Sequence, residues 1–185
     1  GGTIGDIESA PFLEAIRQMK WELGRNAVNI HLTYIPYLKA AGELKTKPTQ
    51  HSVKELQSVG IQPDILVLRT EKHLDDDVRR KVAAFCNVDL DCVVQSEDLA
   101  SIYEVPVNMQ KQGLDVAILR KTGEPIGPTP ELGPWKAFLE RQKKATREVH
   151  IGLVGKYDLQ DAYKSIRESL SQAGTYNDYK TKITF

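Results

Sequence analysis

The residues best suited to do chemistry stand in Lys45-Thr46-Lys47-Pro48-Thr49-Gln50-His51-Ser52-Val53-Lys54. Three lysines fall in this stretch, and no acid interrupts them between Glu43 and Glu55. The hydroxyls of Thr46, Thr49 and Ser52 and the amide of Gln50 are interleaved with the lysines. A short cationic loop of this kind, feeding a helix start, suits a polyphosphate, because ammonium groups, hydroxyl donors and free backbone N–H groups converge. A solvated loop before a surface helix accounts for the same residues, since lysine pairs in loops are common. The second candidate stretch is Gly1-Gly2-Thr3-Ile4-Gly5-Asp6-Ile7-Glu8-Ser9. Its glycines permit close approach of backbone to a ligand. Asp6 and Glu8 can accept hydrogen bonds from ribose hydroxyls or hold a divalent cation. Acidic residues near a helix N-terminus are the plain alternative.

The elements that must position these groups follow from periodicity. Ser9, Ala10 and Pro11 supply an N-cap and an early proline, and Phe12, Leu13, Ile16, Met19 and Leu23 recur at helical spacing up to a stop at Gly24. Asn29 to Ile35 reads as a strand ended by Pro36, with His31 a satisfied packing residue. The lysine loop then leads into a helix from about His51 to Val59, closed by Gly60. Pro63 to Arg69 is continuously apolar, the pattern of a strand covered on both faces of a parallel sheet. Asp75, Asp76 and Asp77 load the first turn of a helix to Cys86, where the helix dipole explains them without a metal. Val93-Val94 is a further short strand. A helix is expected near Leu99, with Pro106 interrupting the region.

From Lys121 to Gly133, glycine and proline without periodicity read as a linker. Trp135, Phe138 and Leu139 form the stripe of a charged helix bridging to the next unit. Val149 to Tyr157 reads as strand and turn, Asp161 to Leu170 as helix, and Lys182 to Phe185 as the start of another strand. This is the opening of a second α/β domain. Gly152 to Lys156 lacks the GxxxxGK[ST] spacing of a Walker A loop.

Bulk properties narrow the class. The 185 residues are 41% hydrophobic and 27% charged, an ordinary globular composition. Basic and acidic residues number 25 each, which disfavours a nucleic-acid binder driven by phosphate neutralisation. No apolar run approaches the roughly 18 residues of a membrane span, and no signal peptide opens the chain. Cys86 and Cys92 read as reduced, buried thiols, and no CxxC or HxxxH spacing supports a metal site. A cytoplasmic protein is expected. The glycine-rich opening looks like an internal loop, so a fragment is expected as well.

The stretches themselves go further. Gly1 to Ser9 with Pro11 to Gln18, Gly42 to Leu56, Gly60 to Leu66, Phe85 to Val88, Ser101 to Tyr103, and Val154 to Tyr157 with Asp161 to Ser165 together closely resemble the CTP synthase family. The resemblance covers essentially the whole chain and is weakest from Lys121 to Ala145. It implies an α/β fold. A parallel-sheet, P-loop-type (dethiobiotin-synthetase-like) amidoligase domain would be represented by its closing part, residues 1–120. A linker (121–147) and the start of a class I glutaminase α/β domain (148–185) would follow.

The implied reaction is ATP- and Mg²⁺-dependent amination of UTP to CTP, with ammonia from glutamine, CTP as inhibitor and GTP as activator. Asp6, Ile7 and Glu8 match the family segment that contacts CTP. Lys45, Thr46, Lys47, Pro48, Thr49 and Gln50 match the segment that binds UTP or CTP, and Lys81 matches a further lysine at that nucleotide. Glu97, Asp98 and Leu99 occupy the segment that contacts ATP, although their types depart from the family pattern. The Walker-type loop and a Mg²⁺-binding glutamate are expected upstream, and the Cys-His-Glu glutaminase triad beyond residue 185. Neither catalytic residue nor metal ligand is therefore expected in this stretch. The family's pyrimidine site lies between subunits of a homotetramer, which would let the counter-charge of the lysine loop arrive as ligand. A non-catalytic nucleotide-binding or assembly module, or a plain α/β scaffold, are the competing expectations.

Overall fold

The computed structural model describes residues 4–156 and 160–185, so Gly1, Gly2 and Thr3 of the opening motif and Tyr157 of the later one lie outside the described residues. The chain divides into two compact units, Gly1–Pro128 and Thr129–Phe185.

The first unit is built on a three-stranded parallel sheet of order β1 (Ile30–Ile35), β4 (Ile65–Thr70), β5 (Val93–Glu97). Leu66 of the central strand stands opposite His31 on one side and Val93 on the other. Helix α2 (Lys47–Ser58) crosses from β1 to β4, and α3 (Asp76–Cys86) from β4 to β5. The expected double-sided burial of the central strand is present: Ile65, Leu66 and Leu68 are fully buried, with Val53 of α2, Val82 and Cys86 of α3, and Val93 and Val94 of β5 in the same core. Asn87 ends α3 in the left-handed region at φ 55°, its N–H bonding the carbonyl of Ala83.

Four local features differ from the sequence expectation. Helix α2 begins at Lys47 rather than His51. Pro48 lies in its first turn, where a fixed φ and a missing N–H cost nothing. The Gln50 N–H already bonds the Thr46 carbonyl at 3.0 Å. Most of the expected loop is therefore helix. Between Pro36 and this helix stands an unexpected antiparallel ribbon, β2 (Tyr37–Leu38) with β3 (Glu43–Leu44), closed through Gly42 at φ 64°. Pro106 starts a helix, α4 (Val105–Lys111), instead of interrupting one. A further helix, α5 (Leu114–Thr122), follows from Gly113.

Helix α1 (Ala10–Leu23) has the expected bounds, but its apolar stripe is not buried: Phe12 is 72% and Met19 54% exposed. The helix is tied down by Lys20, whose Nζ donates to the Ala27 carbonyl at 2.6 Å and to Asp64 Oδ2 at 2.9 Å.

In the second unit, α6 (Gly133–Lys144) leads to β6 (Arg147–Gly152), α7 (Lys164–Tyr176) and β7 (Tyr179–Thr184). The two strands pair in parallel from Arg147 opposite Tyr179 to Gly152 opposite Thr184. Arg141 of α6, within the stretch expected as linker, donates to the Tyr176 carbonyl at 2.6 Å and to Asp178 at 3.0 Å, fixing the α7–β7 turn.

Gly174 lets α7 approach the β6–β7 ribbon. A Cβ there would lie 2.0 Å from Thr181 Oγ1 and 3.1 Å from the Tyr179 carbonyl oxygen. Gly174→Ala should destabilise this unit by about 1–3 kcal/mol through overpacking, more than the ~1 kcal/mol that alanine gains in helix propensity. Urea denaturation would read this loss, and Thr181→Ala in the same chain should recover part of it. A more stable Gly174→Ala protein would contradict the close approach.

Candidate functional site

In open parallel α/β sheets, ligands bind in the crevice outside the carboxyl ends of the strands. Two of the candidate stretches follow strands at that end: Lys45–Gln50, after β1 and the β2–β3 ribbon, and Glu97–Leu99, at the close of β5; residues 71–75 follow β4 there as well.

Within Lys45–Gln50 the side chains divide by role. Lys47 and Pro48 are exposed, Lys45 is partly exposed, and Thr46 and Thr49 are buried. The Thr49 hydroxyl reaches Thr33 Oγ1 and the Tyr34 carbonyl, both at 3.1 Å, so it seams α2 to β1. The Gln50 amide donates to Thr46 Oγ1 at 3.2 Å and stiffens the helix start. What this segment presents outward is therefore its two lysines, at the start of α2.

Lys45 Nζ pairs with Glu43 Oε1. The expectation that the loop has no acid partner is thereby corrected. Glu43 lies in β3, and residues two apart on extended backbone share a face. The hydrogen bond from Lys45, then its charge, hold the Glu43 carboxyl below its ordinary range, and the charge of Lys81 on α3 adds to the effect. Lys45 bonds this carboxylate, whereas Lys81 acts on it through charge alone. Lys54 belongs elsewhere: its Nζ sits 4.9 Å from the centroid of the Phe85 ring.

Asp6, Ile7 and Glu8 form an exposed turn before α1, a 3₁₀ segment spanning Ile7–Ser9. Ile7 is 92% exposed. Ser9 donates its N–H and its hydroxyl to the Asp6 carbonyl, at 3.0 and 2.8 Å. This turn adjoins α1 and precedes the sheet's first strand in sequence.

At the ends of β4 and β5, Glu97 and Asp98 join a polar cluster with Gln95, His73 and Arg69, which sequence reasoning missed. Gln95, only 1% exposed, accepts the Leu74 N–H at 3.0 Å and donates to Glu97 Oε1. His73 Nδ1 lies 2.8 Å from the same oxygen. Asp98 receives Arg69 Nε at 3.4 Å, and its own N–H bonds the Thr70 carbonyl. Tyr34 donates to Glu71 at 2.8 Å, which raises its phenol pKa. The signal available was the alternation Gln95–Glu97, one face of a strand, had β5 been extended past Val94.

Other chemistry-bearing residues have structural explanations. Cys86 and Cys92 are free and buried, and burial pushes the Cys86 thiol up to about 11 and Cys92 in the same direction. Among the described residues, Asp89, Asp91 and Cys92 lie close enough to suggest a metal, but Lys121 and Arg120 already neutralise the two carboxylates. His31 bonds Ser52 Oγ at 2.9 Å, and burial lowers its pKa, as a packing histidine should behave. A cleft of about 520 Å³ between α1 and β1 is lined largely by Leu13, Ile16, Met19, Leu23 and Ile30. No helix among the described residues is long and apolar enough to cross a membrane.

A parallel sheet with helical crossovers, and charged groups beyond its strand ends, defines an α/β domain. Sequence comparison gives the particular family: residues 1–123 match the sequence model described as CTP synthase N-terminus, and the chain belongs to that family. That assignment stands at the level of the N-terminal domain, in place of the narrower expectation of its closing part. The chain is 71% identical over 187 residues to a CTP synthase of Bacteroides thetaiotaomicron, covering all of the chain and 35% of that protein. It is 67% identical to one of Bacteroides fragilis over 186 residues, with the same coverage. A CTP synthase of Methanocaldococcus jannaschii is 53% identical over 187 residues, covering all of the chain and 34% of that protein. The chain thus spans about a third of the length of these relatives.

Proposed function

We propose that the protein carrying this chain is a glutamine-hydrolysing CTP synthase, and that the first unit holds the pyrimidine nucleotide. ATP and Mg²⁺ would activate UTP at O4, ammonia from glutamine would displace the phosphate, and CTP and GTP would inhibit and activate. The single observation that carries the nucleotide assignment is the pairing of Lys45 with Glu43 just before α2, with Lys47 exposed beside it. A lysine paired with one carboxylate, beside a second and exposed lysine, forms a site that can exchange its own counter-charge for a triphosphate. Lys45 and Lys47 would contact phosphates as point charges, backed by the N–H groups opening α2.

Asp6 to Glu8 would close the pyrimidine site from a neighbouring subunit of a homotetramer. The exposure of Ile7 between two carboxylates supports that reading, since a lone exposed isoleucine gains from burial at an interface. Glu97 to Leu99 would face ATP. The parallel β6–α7–β7 arrangement of the second unit supports its reading as the start of a glutaminase α/β domain. A cytoplasmic location accompanies this metabolism.

Calorimetric titration of the full-length protein with CTP tests the reading. Saturable binding to one site per chain, competed by UTP, is the expected result. No heat at millimolar CTP would remove the nucleotide assignment, and binding without ATP-dependent turnover would leave a non-catalytic module.

A further inference from the structure

We propose that Gln95 is a positioning residue for ATP: it clamps the Glu97 carboxylate to the β4–α3 loop so that one oxygen stays aimed outward for a nucleotide donor. The inference rests on the reading that Glu97–Leu99 faces ATP.

The argument starts from burial. Gln95 is 1% exposed, and a buried amide is tolerated only when its polar atoms are satisfied. Both ends of this one are. Its Oε1 accepts the Leu74 N–H at 3.0 Å, and its Nε2 donates to Glu97 Oε1. The amide therefore fixes two segments at once, the loop after β4 and the last residue of β5. His73, whose side chain is 74% exposed, supplies a second bond to the same oxygen from Nδ1 at 2.8 Å. Gln95 Nε2 lies 3.2 Å from that nitrogen. Because the amide can only donate, the consistent arrangement has the imidazole N–H and the amide N–H both directed at Glu97 Oε1.

Two donors on one oxygen leave the other without a protein donor among the described residues. A carboxylate held this way presents a fixed acceptor at the carboxyl end of the sheet, suited to an exocyclic amino group or a pair of ribose hydroxyls. It is a poor neighbour for phosphate. The clamp thereby assigns the nucleoside end of ATP, not its phosphates, to this edge.

Steady-state kinetics of the full-length protein with three variants test this. Gln95→Met keeps side-chain volume and removes both amide bonds. It should raise KM for ATP about tenfold, the effect of one charge-assisted hydrogen bond, while KM for UTP stays within about twofold. His73→Ala, at an exposed ring, should raise KM for ATP about threefold with the same selectivity, and it decides the matter if Gln95→Met fails to fold. Unchanged KM for ATP in both, or equal rises for both nucleotides, would overturn the clamp. Glu97→Gln separates the underlying reading. If it alone raises KM for ATP, the segment faces ATP and only the clamp is wrong. If it leaves KM for ATP unchanged, the assignment of Glu97–Leu99 falls, and the inference with it.

Discussion

Lys45→Ala should weaken UTP binding by about 1.5–3 kcal/mol, a rise of roughly 10- to 100-fold in KM, and leave hydrolysis of free glutamine nearly untouched. The magnitude is that of losing a charge-assisted hydrogen bond to phosphate. The structure adds a companion that sequence reasoning could not supply. Lys45 is paired with Glu43, so a nucleotide phosphate must break or share that contact. Both side chains are more than two-fifths exposed, at 41% and 54%, so the pair itself is worth little and its loss is not the main cost. Glu43→Gln should accordingly tighten UTP binding modestly, by freeing Lys45 and removing an anion from the approach to the triphosphate. Opposite signs for the two substitutions, measured by steady-state kinetics, are the expected result. Weaker UTP binding in Glu43→Gln would mean that the carboxylate holds Lys45 in place for the ligand instead of competing with it. An unchanged KM in Lys45→Ala would remove the lysine from the site.

That Glu43 escaped notice shows what a linear reading lacks. It treated Glu43 as the boundary of an acid-free stretch, when β3 places it on the same face as Lys45. A two-residue strand carries too little alternation to reveal itself, and its existence depends on the turn through Gly42 and on pairing with Tyr37 and Leu38. The late placement of the α2 start has a related cause. Pro48 and two lysines look like loop when apolar spacing is the guide, yet a proline in the first turn is favourable, and the buried hydroxyl of Thr49 makes that turn part of the core. Thr49 illustrates how chemistry on paper and geometry diverge. A hydroxyl among lysines resembles a ligand contact until its partners, Thr33 and the Tyr34 carbonyl, are known.

The long apolar runs were the legible part. Pro63 to Arg69 announced a doubly covered strand, and β4 is the central one. The aspartates at 75–77 announced the start of α3, with Asp76 and Asp77 in its first turn. The stripe of α1 was legible too, but not its exposure. Periodicity tells which face seeks burial, while the covering partner need not lie in the same stretch. Gln95 was illegible for a different reason: a buried amide has no periodic signature, and its role depends on two segments meeting at the sheet's end.

Leu66→Ala should be the most destabilising single change in the first unit, costing about 2–5 kcal/mol. Leu66 is fully buried at the centre of the three-stranded sheet, opposite both His31 and Val93. Removing its side chain loses the transfer free energy of three carbons and leaves a cavity between the sheet and the helices packed on it. That cavity cannot close without shifting α2 and α3, whose Val53, Val82 and Cys86 share the same core. Leu32 provides the contrast. It lies on the edge strand β1 and is 64% exposed, so Leu32→Ala in this chain should change stability by no more than about 0.5 kcal/mol. Urea unfolding of the two variants gives the comparison, and a difference below about 1 kcal/mol would contradict the burial assigned to β4. The consequence reaches the site, because the same strand ends at Thr70, whose hydroxyl accepts the Lys72 N–H and whose carbonyl accepts that of Asp98. A central strand loosened at Leu66 lets both turns drift together. Loss of stability in Leu66→Ala should therefore come with a rise in KM for ATP that Leu32→Ala does not show.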